Sequence, residues 1–221
     1  MTEPYVNIHT HTANGEGIEL VNIDKFDGPL DAVFASAGLH PWNIGKCNHL
    51  QTLATIKNWC DSGLLAAIGE IGIDRNIDTD LNLQKELLHV QLNMARQFQT
   101  PVLIHCVRAY SDFLQILRQY PHLPMIFHGF NGKKTMAEQL LAHGAMLSFG
   151  TSLLTRNNLQ DVFKTIPNDC IFLETDTKDV NISTIYAFAA ELKHISLEEL
   201  KHIIFCNLTR VFGNRFETAK V

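Results

Sequence analysis

Short apolar runs rich in β-branched residues recur along the chain, at residues 5–8, 32–37, 65–71, 102–104, 125–127, 145–149 and 170–173. Most are apolar at nearly every position, the pattern of parallel strands covered on both faces. Between the later runs the spacing becomes helical, as in Leu83, Leu87, Leu88, Gln91 and Met94, then Phe113, Ile116 and Leu117. Strand and helix alternate regularly from residue 31 onward, which predicts a parallel α/β fold, either a barrel or a doubly wound open sheet. Near the C-terminal end, Ser196-Leu-Glu-Glu opens a capping-box pattern ahead of Leu200, Ile203, Ile204, Leu208, Val211 and Phe212. That spacing predicts a terminal helix packed on the core.

No internal repeat, low-complexity segment or Pro/Gly/Ser-rich linker divides the 221 residues, so residues 1–221 are read as one domain. Apolar residues at 46% and charged residues at 19% exclude a disordered chain. No apolar run is long enough to span a membrane, and the N-terminal MTEPYVNIHTHT lacks the basic and apolar segments of a secretory signal. Cysteines at 47, 60, 106, 170 and 206 show no CxxC spacing, which fits reduced thiols and a cytoplasmic protein. A net charge of −5 argues against coating of long duplex DNA through a broad basic face. It leaves room for a local phosphate site, because bound cations reverse the potential of an acidic cleft.

The apolar runs end on chemistry. His9-Thr10-His11 follows the first, and alternation in an extended segment puts both imidazoles on one side. Gly38-Leu-His40-Pro41 ends the second, and Gly69-Glu70-Ile71-Gly72-Ile73-Asp74 the third. His105, His128 and Glu174-Thr175-Asp176 close later runs. In a parallel barrel such C-terminal strand ends gather around one mouth. Imidazole and carboxylate ligands collected there suit Zn²⁺, Mn²⁺ and related divalent ions.

This succession (HxH, GLHP, GEIGID, PVLIH, a lone strand-end His, ETD) resembles the TatD-like metal-dependent deoxyribonucleases, among the wider amidohydrolase-type barrels. The resemblance runs from His9 to about Asp176, and Asn207 with Arg210-Val-Phe212 is similar to that family's closing helix. It implies a TIM-type (β/α) barrel, two divalent metal ions (Zn, Mn or Mg) and phosphodiester hydrolysis on DNA or short nucleotides. His9, His11, Glu70 and Asp176 would surround one ion and Glu70, His105 and His128 the other, with Glu70 bridging. Asp176 and Glu70 become the catalytic pair, Asp176 as the base toward the attacking water. His40 is placed as a substrate contact. Three departures stand out: Asn7 where the family has Asp, His128-Gly-Phe-Asn-Gly132 where it often has HCFSG, and Thr177-Lys178 after ETD where it has a small residue and proline.

Arg108, Lys133, Lys134 and Arg156 follow strand ends and are expected to form a substrate-binding rim facing phosphate. Hydrolysis of a cyclic amide, lactone or other non-phosphate ester is the alternative enzyme reading, and a non-catalytic binding barrel the second alternative. No membrane or obligate protein partner is inferred. One element sets this chain apart. Residues 18–23, IELVNI, read as a short second strand, and neither the 10–17 nor the 24–30 gap holds a helix. Because parallel crossovers ordinarily take a dozen or more residues, this strand is expected antiparallel to both neighbours in a distorted barrel. The first two outer helices would be missing and the cleft beside His40 more open.

Overall fold

The computed structural model describes residues 3–26 and 34–216. Eight strands, β1 (Val6–Thr10), β2 (Ile18–Ile23), β3 (Ala35–Ala37), β4 (Ala67–Asp74), β5 (Val102–Val107), β6 (Met125–Phe127), β7 (Met146–Phe149) and β8 (Ile171–Leu173), pair in sequence order and all in parallel. The two edges meet. Thr10 bridges Asp176, His11 N donates to Asp176 O at 3.2 Å, and Asp176 N donates to His9 O at 3.0 Å. Asn7 strengthens this seam: its Nδ2 donates to Thr175 Oγ1 (2.8 Å) and its Oδ1 accepts from Thr175 N (3.0 Å). The sheet is therefore a barrel, and an open sheet is excluded.

Around it run α1 (His49–Asp61), α2 (Leu81–Phe98), α3 (Tyr110–Gln119), α4 (Lys134–Ala142), α5 (Ser152–Thr155), α6 (Asn157–Thr165), α7 (Ile182–Lys193) and α8 (Leu197–Phe212). The predicted spacing is realised in α2, which buries Leu87, Leu88, Leu92, Met94 and Ala95. Likewise α8 begins with the Ser196 hydroxyl accepting from Glu199 N at 3.1 Å and buries Leu200, Ile204, Leu208 and Phe212. Strand and helix side chains form one large apolar cluster, with a small second one of Leu39, Ile44 and Leu87 beside it. Among the described residues no helix is long and apolar enough to cross a membrane.

The second strand corrects the sequence reading. β2 runs parallel to β1 (Val6↔Ile18, Asn7↔Glu19) and parallel to β3 (Val21↔Ala35, Asn22↔Ser36). A crossover has only to regain the length of the strand it returns along. For the five-residue β1 that is ~16 Å, whereas an extended link of seven residues reaches ~25 Å. Residues 11–17 make that return without a helix. The Glu19 carboxylate pins the link by accepting from Asn14 N (3.1 Å) and Gly15 N (2.8 Å). At Gly17, φ is +100° and a Cβ would stand 2.3 Å from Tyr5 O, so only glycine allows Ile18 N to reach Tyr5 O at 2.9 Å. The first outer helix is thus missing as expected. The gap to β3 falls mostly on residues 27–33, outside the described residues. β2 is buried at Ile18, Leu20 and Asn22 and half-buried at Glu19, Val21 and Ile23, a strand fully covered on one face only. The more open cleft beside His40, expected from two missing outer helices around a reversed strand, is withdrawn with that account now that β2 is parallel.

The contact between β4 and β5 is equally intolerant. Gly72 pairs with His105, and a Cβ there would lie 1.8 Å from His105 O. Gly72→Ala should cost at least ~3 kcal/mol by forcing the strands apart, read as a large drop in thermal midpoint. An unchanged midpoint would contradict this register.

Candidate metal centre

At the C-terminal ends of the strands six predicted residues converge. The two oxygens of Glu70, which is 5% exposed, face different partners. Oε2 lies 3.5 Å from His9 Nε2 and 3.9 Å from His11 Nε2. Oε1 lies 2.5 Å from His105 Nδ1, 2.6 Å from His128 Nε2 and 3.3 Å from His40 Nε2. Asp176 Oδ1 completes the first group at 3.6 Å from both His9 Nε2 and His11 Nε2. One carboxylate therefore divides the centre into two halves.

A layer of polar side chains behind these residues sets their direction. The His11 Nδ1–H donates to Asp24 Oδ2 (2.7 Å), His105 Nε2 faces Asp74 Oδ2 (3.3 Å) and His128 Nδ1 faces Glu174 Oε1 (3.4 Å). Each carboxylate can hold a proton on the outer ring nitrogen, so that loss of the proton on the inner nitrogen would present a lone pair to the centre. Glu70 is positioned from β2, whose Asn22 Oδ1 accepts from Glu70 N at 2.9 Å while Asn22 Nδ2 donates to Asp24 Oδ1 at 2.9 Å. Two buried glutamines of α2 do the same for the loops. Gln84 Oε1 accepts from Asp74 N (2.9 Å), and Gln91 Oε1 accepts from Leu39 N (2.7 Å) beside His40. His40 differs from the other rings. Its Nδ1 accepts from Trp42 N at 3.0 Å, so its proton sits on Nε2 and points at Glu70. It is a donor to the centre.

The donor set fits divalent ions. His9 is fully buried, yet neither ring nitrogen has a hydrogen-bond partner, an arrangement that costs free energy unless something else satisfies it. Glu70 and Asp176 stand 3.5–3.9 Å from the Nε2 atoms of His9 and His11, and donors sharing one ion at ~2.1 Å in tetrahedral geometry lie about 3.4 Å apart. In the other half, His105 and His128 close on Glu70 as short charge-assisted hydrogen bonds. Among the described residues, His9/His128/Asp176, His9/His11/Glu70 and His40/Glu70/His105 each bring their ligand atoms within 4.8 Å of one another. Burial and charge act against each other throughout this cluster. Burial alone would raise the Glu70 carboxyl, but His128, His105 and His40 hold it well below the usual carboxylate range. Burial would lower His9 and His128; Asp176 and Glu70 instead push His9 up to about 9, and Glu70 and Glu174 raise His128 well above the usual imidazole value. Burial outweighs Glu70 at His40 and keeps its pKa low. Asp176 is held low by His9 and His128 against the opposing effect of burial.

Arg108, Lys133, Lys134 and Arg156 are exposed after β5, β6 and β7, with Lys134 paired to Glu138 at 3.9 Å. None of them lines the cavity of about 410 Å³ that contains Glu70, His105, His128 and Asp176, nor the adjoining one of about 220 Å³ that reaches past Glu174. Lys178 lines the latter. The sequence reading assigned no role to Asn22, Asp24, Trp42, Asp74, Gln84, Gln91 or Glu174. Asp74 and Glu174 stood inside the strand-end motifs, where their carboxylates were the available signal. Asn22 and Asp24 were hidden by the reversed direction given to β2, which would have put them at the far end of the barrel.

The model of the family described as "TatD related DNase" matches residues 19–213. The chain is 28% identical to the uncharacterized metal-dependent hydrolase YabD of Bacillus subtilis, over 90% of this chain and 89% of that protein. It is 30% identical to the 3'-5' ssDNA/RNA exonuclease TatD of Erwinia tasmaniensis, over 66% of this chain and 58% of that protein. In fold it is similar to the crystal structure of YjjV, a TatD homologue from Escherichia coli K12, with a TM-score of 0.83 at 20% identity, covering 94% of this chain and 97% of that one.

Proposed function

We propose, from the premise that this chain belongs to the TatD-related DNase family of metal-dependent hydrolases, that it hydrolyses phosphodiester bonds of DNA or short nucleotides at a two-metal centre. The observation that carries this reading is the division of Glu70 between two sets of histidines. His9, His11, Glu70 and Asp176 would hold one divalent ion and Glu70, His105 and His128 a second, of Zn, Mn or Mg. Such ions, when bound, polarise a phosphoryl oxygen and lower the pKa of water near them.

The side chains supply the rest. Asp176, a carboxylate ionised at neutral pH, is the proton acceptor for attacking water. His40, neutral and with its Nε2–H directed into the cavity, donates to a phosphate oxygen of the substrate. Lys178 beside the cavity, with Arg108, Lys133, Lys134 and Arg156 farther out, supplies positive charge toward a polyanionic strand. The direct test is metal analysis of the purified protein combined with degradation of end-labelled single-stranded DNA, beside a panel of lactones and cyclic amides. Turnover of that panel with intact DNA would overturn the phosphodiester assignment.

Loading should also release protons. With no metal bound, His9 titrates at about 9 and so is protonated at pH 7.5, and a ring must lose that proton to become a ligand. Apparent affinity should therefore weaken steadily as pH falls below about 9. The same raised value means that His9⁺ stabilises the metal-free fold fully below its ordinary pKa and that this contribution is lost as pH rises through about 9. Titration calorimetry of Zn²⁺ or Mn²⁺ in buffers of different ionisation heat reads the proton count, and a heat independent of buffer would contradict the protonated His9.

A further inference from the structure

We propose that Trp42 is a stacking platform for a nucleobase beside the scissile phosphate; this rests on the phosphodiesterase reading above. Among the described large apolar side chains that are exposed, Trp42 is the aromatic one, 55% exposed. It lines the same cavity as Glu70, His105, His128 and Asp176. Burying apolar area is favourable, so a surface indole ordinarily lies down on its neighbours. This one is tied by a hydrogen bond at its ring edge and another at its backbone, with one face left open. Nε1–H donates to Asp74 Oδ2 at 2.7 Å, and its backbone N donates to His40 Nδ1 at 3.0 Å. Pro41, the first residue of the 3-10 turn Pro41–Asn43, restricts the backbone just before it.

The ring is thus fixed before any ligand arrives and stands beside the chemistry. It is roughly perpendicular to His40 (centroids 5.2 Å apart, 81°) and to His105 (6.0 Å, 74°). A ligand whose phosphate is held among the histidines would bring its adjacent planar group to this ring. In a nucleic acid that group is an unstacked base, and stacking tolerates any base because each has a π-face. An indole with its N–H already committed offers no further hydrogen bond, so it should recognise the presence of a base and not its identity.

The test compares hexathymidylate with an all-abasic hexamer, equal in phosphates and lacking bases, as substrates of the metal-loaded protein. Wild type should prefer hexathymidylate in kcat/KM by roughly tenfold or more. Trp42→Leu should bring that ratio close to one by raising KM on hexathymidylate, and Trp42→Phe, which keeps a π-face and loses the bond to Asp74, should retain most of it. Trp42→Leu keeping the wild-type ratio would overturn the proposal. So would Trp42→Leu and Trp42→Phe lowering kcat equally on both hexamers, because the indole would then act through Asp74 on His105. A second measurement needs no change at Trp42. The chain has two tryptophans, so Trp59→Phe leaves Trp42 as the reporter, and its emission should be quenched by hexathymidylate and not by the abasic hexamer. Equal quenching, or none, counts against stacking. Cleavage of both hexamers by wild type with equal KM defeats this inference alone, whereas cleavage of neither defeats the phosphodiesterase reading and this inference together.

Discussion

Glu70→Ala is expected to strip metal from both halves of the centre at once and to lower turnover by at least about a thousandfold, or ~4 kcal/mol of transition-state stabilisation. The expectation follows from the position of the two carboxylate oxygens. Oε2 faces His9 and His11 while Oε1 faces His105 and His128, so loss of this one side chain removes a ligand from each half. Removing the carboxylate also takes from the buried His9 and the half-buried His128 one of the negative charges that offset theirs. Glu70→Gln separates the two effects, since it keeps the volume and one ligand oxygen while removing the charge. Elemental analysis after equilibration with Zn²⁺ or Mn²⁺ gives the stoichiometry. Full occupancy with normal turnover in Glu70→Ala would remove Glu70 from the bridging role.

Asp176→Asn should behave differently, losing turnover by about 10²–10⁴-fold while retaining most of its metal. The amide oxygen remains a weak ligand at the same place, but it accepts no proton near neutral pH. Asp176 has a positive φ of 55° and is tied into the barrel seam through Thr10 and His9. Asn tolerates that left-handed conformation as well as Asp does, so the substitution tests chemistry without disturbing the backbone. Single-turnover cleavage and metal content measured on the same preparation separate the outcomes. Parallel loss of both would make Asp176 chiefly a ligand, and unchanged turnover would require another base.

Asn7, a departure from the family pattern, has a structural role at the barrel seam. As an amide it both donates to and accepts from Thr175, sewing β1 to the end of β8, and it belongs to the closure of the barrel. The Thr177-Lys178 departure lies instead on the cavity side, where Lys178 lines the space beyond Glu174. The first changes how the seam is held, and the second changes the charge a substrate meets.

The sequence by itself determined the strands, because parallel strands buried on both faces must be apolar at consecutive positions, and it marked the polar residues that interrupt such runs, because a polar side chain is conspicuous where burial has excluded all others. His40, Asp74 and Glu174 stood out in that way beside His9, His11, Glu70, His105, His128 and Asp176, and it was the resemblance to the TatD-like family that singled out the last six. Only the tertiary structure decided the direction of β2. Local pattern is the same for a strand run either way, and a short extended link suffices for a return as brief as this one. With that direction came Asn22 and Asp24, which are brought to the mouth by parallel pairing and carry no periodic signal of their own. Asp74, Glu174, Gln84 and Gln91 were likewise visible as residues but not as partners, since a hydrogen bond between distant segments is fixed by packing. The rim was the reverse case, charge evident in sequence whose distance from the cavity depends on how each loop leaves its strand.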